Sequence, residues 1–276
     1  MSIFCNKSYS KFIFLDFIWR PLTRKQQGDG VVLAHAMGLG KTIQTITTLT
    51  CFMNLEIKPK TESNYIKALV IVPVNVIFNW LAEFDKWVPE SVRPFKLFNL
   101  RELQDSDRAK TILTFRSCSQ HSVLIIGYEA FRTAVSGKDT NRTIQTALTT
   151  TDIVILDEAH RVKDDKSKLN ETLSQIKTKR RLALTGYPLQ NSLAEYFVLI
   201  DWVRPGYLGT KKSFISRFQS PIEKGKTSDA TQAEKDRMIQ RAIVLKDKIK
   251  PVVHRREYRV AILNFYVNIS YSFTHV

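Results

Sequence analysis

Five short apolar runs recur along the chain, at residues 31–35, 68–74, 122–128, 152–156 and 181–185. Most are rich in Val, Ile and Leu with little polar alternation, the pattern of strands buried on both faces. Segments with helical spacing lie between them. Residues 41–53 follow the first run. Residues 75–87 follow the second, with Val76, Trp80, Phe84 and Trp87 on one face. Residues 168–177 follow the fourth run and residues 192–203 the fifth. Strand and helix in alternation predict an α/β fold, a parallel sheet flanked by helices on both sides. Trp80 and Trp87 read by this spacing as core residues rather than as stacking platforms.

After Pro205 the pattern changes. Residues 214–250 are heavily charged yet helical in spacing, with Met238, Ile239, Ala242, Ile243 and Ile249 as the expected buried stripe. Residues 136–146 and 221–229 read as loops. Four parts follow: an N-terminal extension (1–29), the α/β unit (30–204), a helical part (205–259) and a divergent tail (260–276). The length of 276 residues allows one large domain or two small ones. With 43% hydrophobic and 25% charged residues, wholesale disorder, collagen and coiled coil are excluded.

Charge narrows the partners. Lys and Arg number 42 against 26 Asp and Glu, a net +16. Such an excess points to a polyanion, nucleic acid before an anionic membrane. The competing reading is a solubilising positive surface. Cys5, Cys51 and Cys118 are too far apart for a zinc pair, and no disulfide framework is suggested. The first residues are apolar but broken by Lys11 and Asp16, without a small-residue cleavage site, so they do not read as a signal peptide. Residues 260–276 lack charge but carry Asn264, Asn268 and Ser270, which makes a poor membrane span. A soluble, intracellular chain is expected.

The strongest chemical signal is His35-Ala36-Met37-Gly38-Leu39-Gly40-Lys41-Thr42, at the junction of a buried strand and a helix. Gly38 and Gly40 permit a tight turn whose N–H groups can face phosphate oxygens, and the helix adds its positive N-terminal end. Lys41 would reach the β- and γ-phosphates and Thr42 would ligate Mg²⁺. The full phosphate-loop pattern wants glycine where His35 stands. A second signal is Asp157-Glu158, at the end of the fourth apolar run. Alone, such a pair reads as solvated acids at a strand end. On the same sheet as a phosphate loop, Asp157 would hold the Mg²⁺ shell and Glu158 would orient the attacking water. The two signals together make a nucleotide site the favoured reading.

Residues 37–42, the Asp157-Glu158-Ala159-His160 run and the 184–191 run (Leu-Thr-Gly-Tyr-Pro-Leu-Gln-Asn) resemble motifs I, II and III of the Swi/Snf-type helicase-like ATPases. In that family the first loop glycine is often replaced, so His35 fits. Leu33-Ala34-His35, Val72-Pro73-Val74-Asn75 with Asn79-Trp80, Ile125-Ile126-Gly127-Tyr128-Glu129 and the 203–210 run are similar to the ATRX branch. The resemblance covers residues 30–260. It implies a first RecA-like lobe with a helical protrusion, ATP and Mg²⁺ as cofactors, and duplex DNA, nucleosomes and chromatin proteins as partners in the nucleus. It implies DNA contacts from Pro73, Val74 and Asn75 and from Tyr128 and Glu129. It also implies coupling through His160, Thr185, Gly186, Tyr187 and Gln190.

Three departures stand out. Motif III normally reads Thr-Gly-Thr-Pro, and Tyr187 replaces the second Thr with a bulky ring expected to disturb coupling. The adenine-contacting glutamine is not located, since Gln26 and Gln27 lie too close to the loop. No second lobe, the source of the family's arginine fingers, is recognised after Arg259. The expected function is the ATP-binding lobe of a DNA-dependent ATPase that moves along duplex DNA, weakly active alone. The alternative is a non-catalytic ATP- or DNA-binding isoform that regulates a full-length protein. Two basic runs, Lys177, Lys179, Arg180, Arg181 and Arg161, Lys163, Lys166, Lys168, are candidate phosphate contacts or simply solvated faces.

Overall fold

A computed structural model describes residues 13–23, 28–54, 65–137, 141–163, 167–186 and 192–256. Its centre is a seven-stranded sheet in the order β3-β4-β2-β5-β6-β1-β7. The strands are β1 (Val31–His35), β2 (Lys67–Val72), β3 (Lys96–Asn99), β4 (Ser122–Gly127), β5 (Ile153–Leu156), β6 (Arg181–Thr185) and β7 (Val253–Arg256). Every pairing is parallel. This is the parallel sheet expected from the apolar runs.

Successive residues of the central strands feed two cores. Val31, Leu33, Ala68, Val70, Ile153, Ile155, Leu182 and Leu184 face one layer. It is covered by α1 (Ile13–Thr23), α2 (Lys41–Asn54) and α3 (Ile77–Trp87), through Leu22, Phe52, Trp80 and Phe84. Val32, Leu69, Ile71, Ile126, Val154 and Ala183 face the other. That layer holds α4 (Asp105–Ser117), α5 (Tyr128–Ser136), α6 (Arg142–Thr149), α7 (Lys168–Ser174) and α8 (Leu193–Val203). Burial on both faces explains why these strands show no alternation in sequence.

Several expectations need correction. The second run ends as a strand at Val72, because Pro73 cannot donate to the ladder and opens a 3₁₀ turn at Val74–Val76. The expected loop at 136–146 contains α6, capped by the Asn141 side chain accepting from the Thr143 N–H at 2.8 Å and burying Ala147 and Leu148. The expected loop at 221–229 begins inside a helix. Here α9 (Lys211–Phe214) runs through a π-helical turn (Ile215–Gln219) into α10 (Ser220–Lys224), which takes in Pro221. In α11 (Gln232–Ile249) the expected stripe holds only in part: Met238 and Ile249 pack half-buried against the core, but the buried residue is Leu245, and Ala242 and Ile243 are exposed, Ile243 by 54%. The chain then returns to the sheet as β7, which was not foreseen.

The basic run before β6 also divides. Lys177 and Lys179 are exposed, but Arg180 and Arg181 are buried. Arg180 Nε donates to the Leu22 carbonyl at 2.8 Å, and Arg181 Nε donates to the Thr178 carbonyl at 2.8 Å. These two arginines staple the base of the sheet. Of the second run, Arg161, Lys163 and Lys168 are exposed and Lys166 lies outside the described residues. Trp87 is 46% exposed rather than core, donating to Glu83 at 2.7 Å. The readings of the N-terminal twelve residues, Gln26, Gln27 and the tail after Arg256 lie outside the described residues.

Candidate nucleotide site

At the C-terminal edge of the sheet β1 stops at His35, and the chain turns through residues 36–40 into α2. Gly38 has φ 78° and Gly40 φ 72°. A side chain at either position would meet the left-handed penalty, so glycine is what lets this loop close. The Leu39 N–H reaches the Ala36 carbonyl at 3.4 Å, and Gln44 Nε2 ties the Leu39 carbonyl at 2.9 Å. Thr42 stands half-buried in the first turn of α2, while Met37 and Gly38 are exposed.

The Lys41 ammonium lies across the mouth of this loop. It donates to the His35 carbonyl at 3.0 Å and to the Ala36 carbonyl at 3.4 Å. Burial lowers its pKa, and Glu158 and Asp157 oppose that by favouring the charged form. The carboxylates foreseen 116 and 117 positions downstream therefore act on the same lysine. Gly186, just past β6, closes the third side. A Cβ there would stand 3.1 Å from Met37 Cγ and 3.6 Å from Lys41 Nζ. The 184–191 run thus starts against the glycine loop, with Thr185 fully buried in the preceding strand.

Asp157 follows β5 and is held from several directions. Its N–H donates to the Ile71 carbonyl at 2.9 Å. Its Oδ1 accepts the Glu158 N–H at 2.9 Å and its Oδ2 accepts the Trp80 indole N–H at 2.8 Å. Glu158 sits at φ 49°, ψ 47°, a left-handed conformation that costs a non-glycine residue about 1 kcal/mol. Such backbone strain is characteristic of functional turns. His160 Nδ1 lies 3.1 Å from Glu158 Oε2, so this histidine faces its own motif's glutamate.

The loop has a further support that sequence reasoning missed. His35, expected as the first residue of the nucleotide-binding loop, is instead fully buried and places its Nε2 2.7 Å from Nδ1 of His254 on β7. The Ala36 N–H donates to the Arg256 carbonyl at 2.9 Å. Burial lowers the His35 pKa to about 4, with His254, Arg256 and Lys41 adding repulsion. Burial lowers that of His254 too, helped by Arg256.

The segments expected to meet DNA are split by the structure. Val74 is 64% exposed, and Asn75 and Glu129 are exposed. Pro73 is buried beneath them. Tyr128 is not a surface contact: it is 2% exposed, and its hydroxyl donates to the Asp157 carbonyl at 2.7 Å. A phenol at the first position of α5 is drawn into the core by its ring and finds its acceptor in the acidic turn. Tyr187 and Gln190 lie outside the described residues.

A profile of the SNF2-related domain matches residues 18–264. The chain belongs to the SNF2-related domain family. It is 40% identical over 256 residues to the Transcriptional regulator ATRX homolog of Caenorhabditis elegans, covering 85% of this chain and 18% of the relative. It is 39% identical to Protein CHROMATIN REMODELING 20 of Arabidopsis thaliana, over 88% of this chain and 17% of that protein. To Transcriptional regulator ATRX of Homo sapiens it is 32% identical, over 86% and 10%. Among solved structures it matches the Sulfolobus solfataricus SWI2/SNF2 ATPase core in complex with dsDNA, with TM-score 0.65 and 27% identity, over 94% of this chain and 46% of that one. The SNF2-related chain thus spans less than a fifth of these curated relatives. Within this SNF2 lobe the glycine loop and the acidic segment meet at one sheet edge. The roles of Trp80 and of the two histidines were hidden, because a helical tryptophan and a strand-end histidine carry no motif of their own.

Proposed function

We propose that this SNF2 lobe binds ATP with Mg²⁺ and couples its hydrolysis to movement along duplex DNA, within a nuclear chromatin remodeller acting on nucleosomes and chromatin proteins. The observation that carries the reading is Lys41. Its ammonium rests on the carbonyls of a glycine turn, beneath Gly186 and within the field of Asp157 and Glu158. A group so placed fits a polyphosphate, since the loop N–H groups, the lysine and the start of α2 are all electropositive.

Lys41 would bind the terminal phosphates, and the loop from Ala36 to Gly40 would cradle them. Thr42 and Asp157 would hold Mg²⁺, which neutralises charge on the transferred phosphoryl group. Glu158 would orient the attacking water, with His160 fixing its carboxylate. Phosphoryl transfer also gains ~10³–10⁵ in rate from an arginine at the γ-phosphate. Arg180 and Arg181 are committed at the base of the sheet, and Arg204 donates to the Gly30 carbonyl at 2.7 Å, at the end of β1 away from the loop. None of the three is placed to serve; in this reading the arginine comes from a second lobe, as in the family the sequence resembles, and residues 1–276 alone turn over slowly. The likeness to an archaeal core in complex with dsDNA supports a duplex partner, as does the +16 charge. The exposed ridge of Val74, Asn75 and Glu129 is the proposed contact.

The test is phosphate release by residues 1–276 with duplex DNA. Slow hydrolysis abolished by Glu158→Gln is expected. Hydrolysis unaffected by Glu158→Gln would overturn the assignment of the site.

A further inference from the structure

Two buried aromatic side chains converge on Asp157, and they come from two different surface segments. The first segment is Pro73-Val74-Asn75, which leads into α3. The second is Gly127-Tyr128-Glu129, which opens α5. The two are neighbours at the sheet edge, since a Cβ on Gly127 would lie 3.8 Å from Val74 Cβ. From α3, Trp80 sends its indole N–H to Asp157 Oδ2 at 2.8 Å. From α5, Tyr128 sends its hydroxyl to the Asp157 carbonyl oxygen at 2.7 Å. Both rings are 2% exposed.

The division of contacts on Asp157 is specific. One carboxylate oxygen is fixed by the adjacent backbone N–H of Glu158, the other, among the described residues, by Trp80. The carboxylate torsion is broad and roughly two-fold, so a single N–H on Oδ2 decides which way the group faces. Tyr128 instead holds the peptide between Asp157 and Glu158, next to the strained turn at Glu158. Each ring has only two rotatable bonds and sits in a close-packed core, so a displacement of its helix start is carried inward rather than absorbed.

We propose that Trp80 and Tyr128 are positioning residues that make the orientation of the Asp157-Glu158 turn depend on occupancy of the 73–75 and 127–129 surface. They link duplex binding outside to the phosphate and metal site inside. This inference rests on the function proposed above, and it assigns the linkage to two donors that touch neither ligand.

Trp80→Phe keeps a ring and deletes the N–H, and Tyr128→Phe deletes only the hydroxyl. Two readouts on the whole chain follow. The first is the Mg·ATP affinity, measured by calorimetry with and without a saturating DNA duplex. The second is the indole N–H resonance of Trp80, assigned by its loss in Trp80→Phe. In the wild type, the duplex is expected to change ATP affinity fivefold or more, a usual coupling between sites. The Trp80 resonance should shift when either ligand is added. In each variant the change caused by the duplex should fall below twofold, while duplex affinity stays within twofold of wild type. Trp87→Phe, whose indole bonds Glu83 instead, should leave the linkage intact. Equal linkage in wild type and both variants would overturn the proposal and leave the proposed function standing, as would a wild type that binds both ligands independently. A wild type that binds neither ATP nor duplex overturns both. If Trp80→Phe fails to fold, Tyr128→Phe decides alone.

Discussion

Acidification should loosen this lobe through one contact, the imidazole pair of His35 and His254. His35 is fully buried, and its Nδ1 has no hydrogen-bond partner among the described residues. A bare acceptor nitrogen is the cheaper orphan, so the Nε2–H tautomer is expected, with Nε2 donating to His254. Protonation would put a charge into a buried site, beside His254, Arg256 and Lys41, and so the pKa falls from 6.5 to about 4, burial first and those neighbours after it. A histidine held neutral in the fold binds its proton more readily in the unfolded chain. Its contribution is therefore complete above pH 6.5 and is lost as pH falls toward 4. At 1.36 kcal/mol per pH unit the whole window is worth about 3 kcal/mol, of which about 2.5 is gone by pH 4.5. Urea unfolding of wild type and His35→Gln between pH 7.5 and 4.5 measures it. Glutamine keeps a donor but does not titrate, so its stability should fall less steeply by roughly that amount. Parallel loss in the two proteins, or an imidazole of His35 that titrates near 6.5 by NMR, would refute the reasoning.

Two further outcomes are expected. Duplex affinity should fall steeply between low and physiological salt and depend little on sequence, because backbone phosphates would be the contacts; filter binding over a salt series checks this, and a flat response contradicts it. Arg181 holds buried carbonyls and its pKa is lowered to about 10 by burial, so Arg181→Met should destabilise the fold by about 3 kcal/mol in a thermal melt while duplex affinity stays unchanged.

The central strands and the glycine turn after β1 were readable because each carries its own physical signature. β1 and β6 begin and end where the apolar runs do, since burial on both faces leaves polar residues only at their ends, His35 in β1 and Arg181 and Thr185 in β6. The loop was readable because only glycine adopts the φ values at positions 38 and 40 without strain. β7 was not, because its sequence, Val-His-Arg-Arg, is polar and it pairs only with β1 at the sheet edge. α4 buries only Ile112 and Phe115 in 13 residues, too few to mark a face. Tyr128 was assigned to the surface through family resemblance. Nothing in its neighbourhood in sequence shows that Asp157, 29 positions away, supplies its acceptor. The same holds for Trp80: spacing placed its ring in the core, yet the N–H it carries points at the acidic turn.

The central claim is that one sheet edge builds a single Mg·ATP site, with Lys41 binding phosphate and Glu158 acting on water. Calorimetric titration of Mg·ATP into wild type, Lys41→Ala and Glu158→Gln tests it most directly. Lys41→Ala should weaken binding by ~1.5–3 kcal/mol, the worth of a charge-assisted hydrogen bond, and Glu158→Gln should bind nearly as wild type does. Equal loss of affinity in the two variants, or undiminished binding by Lys41→Ala, would contradict the account.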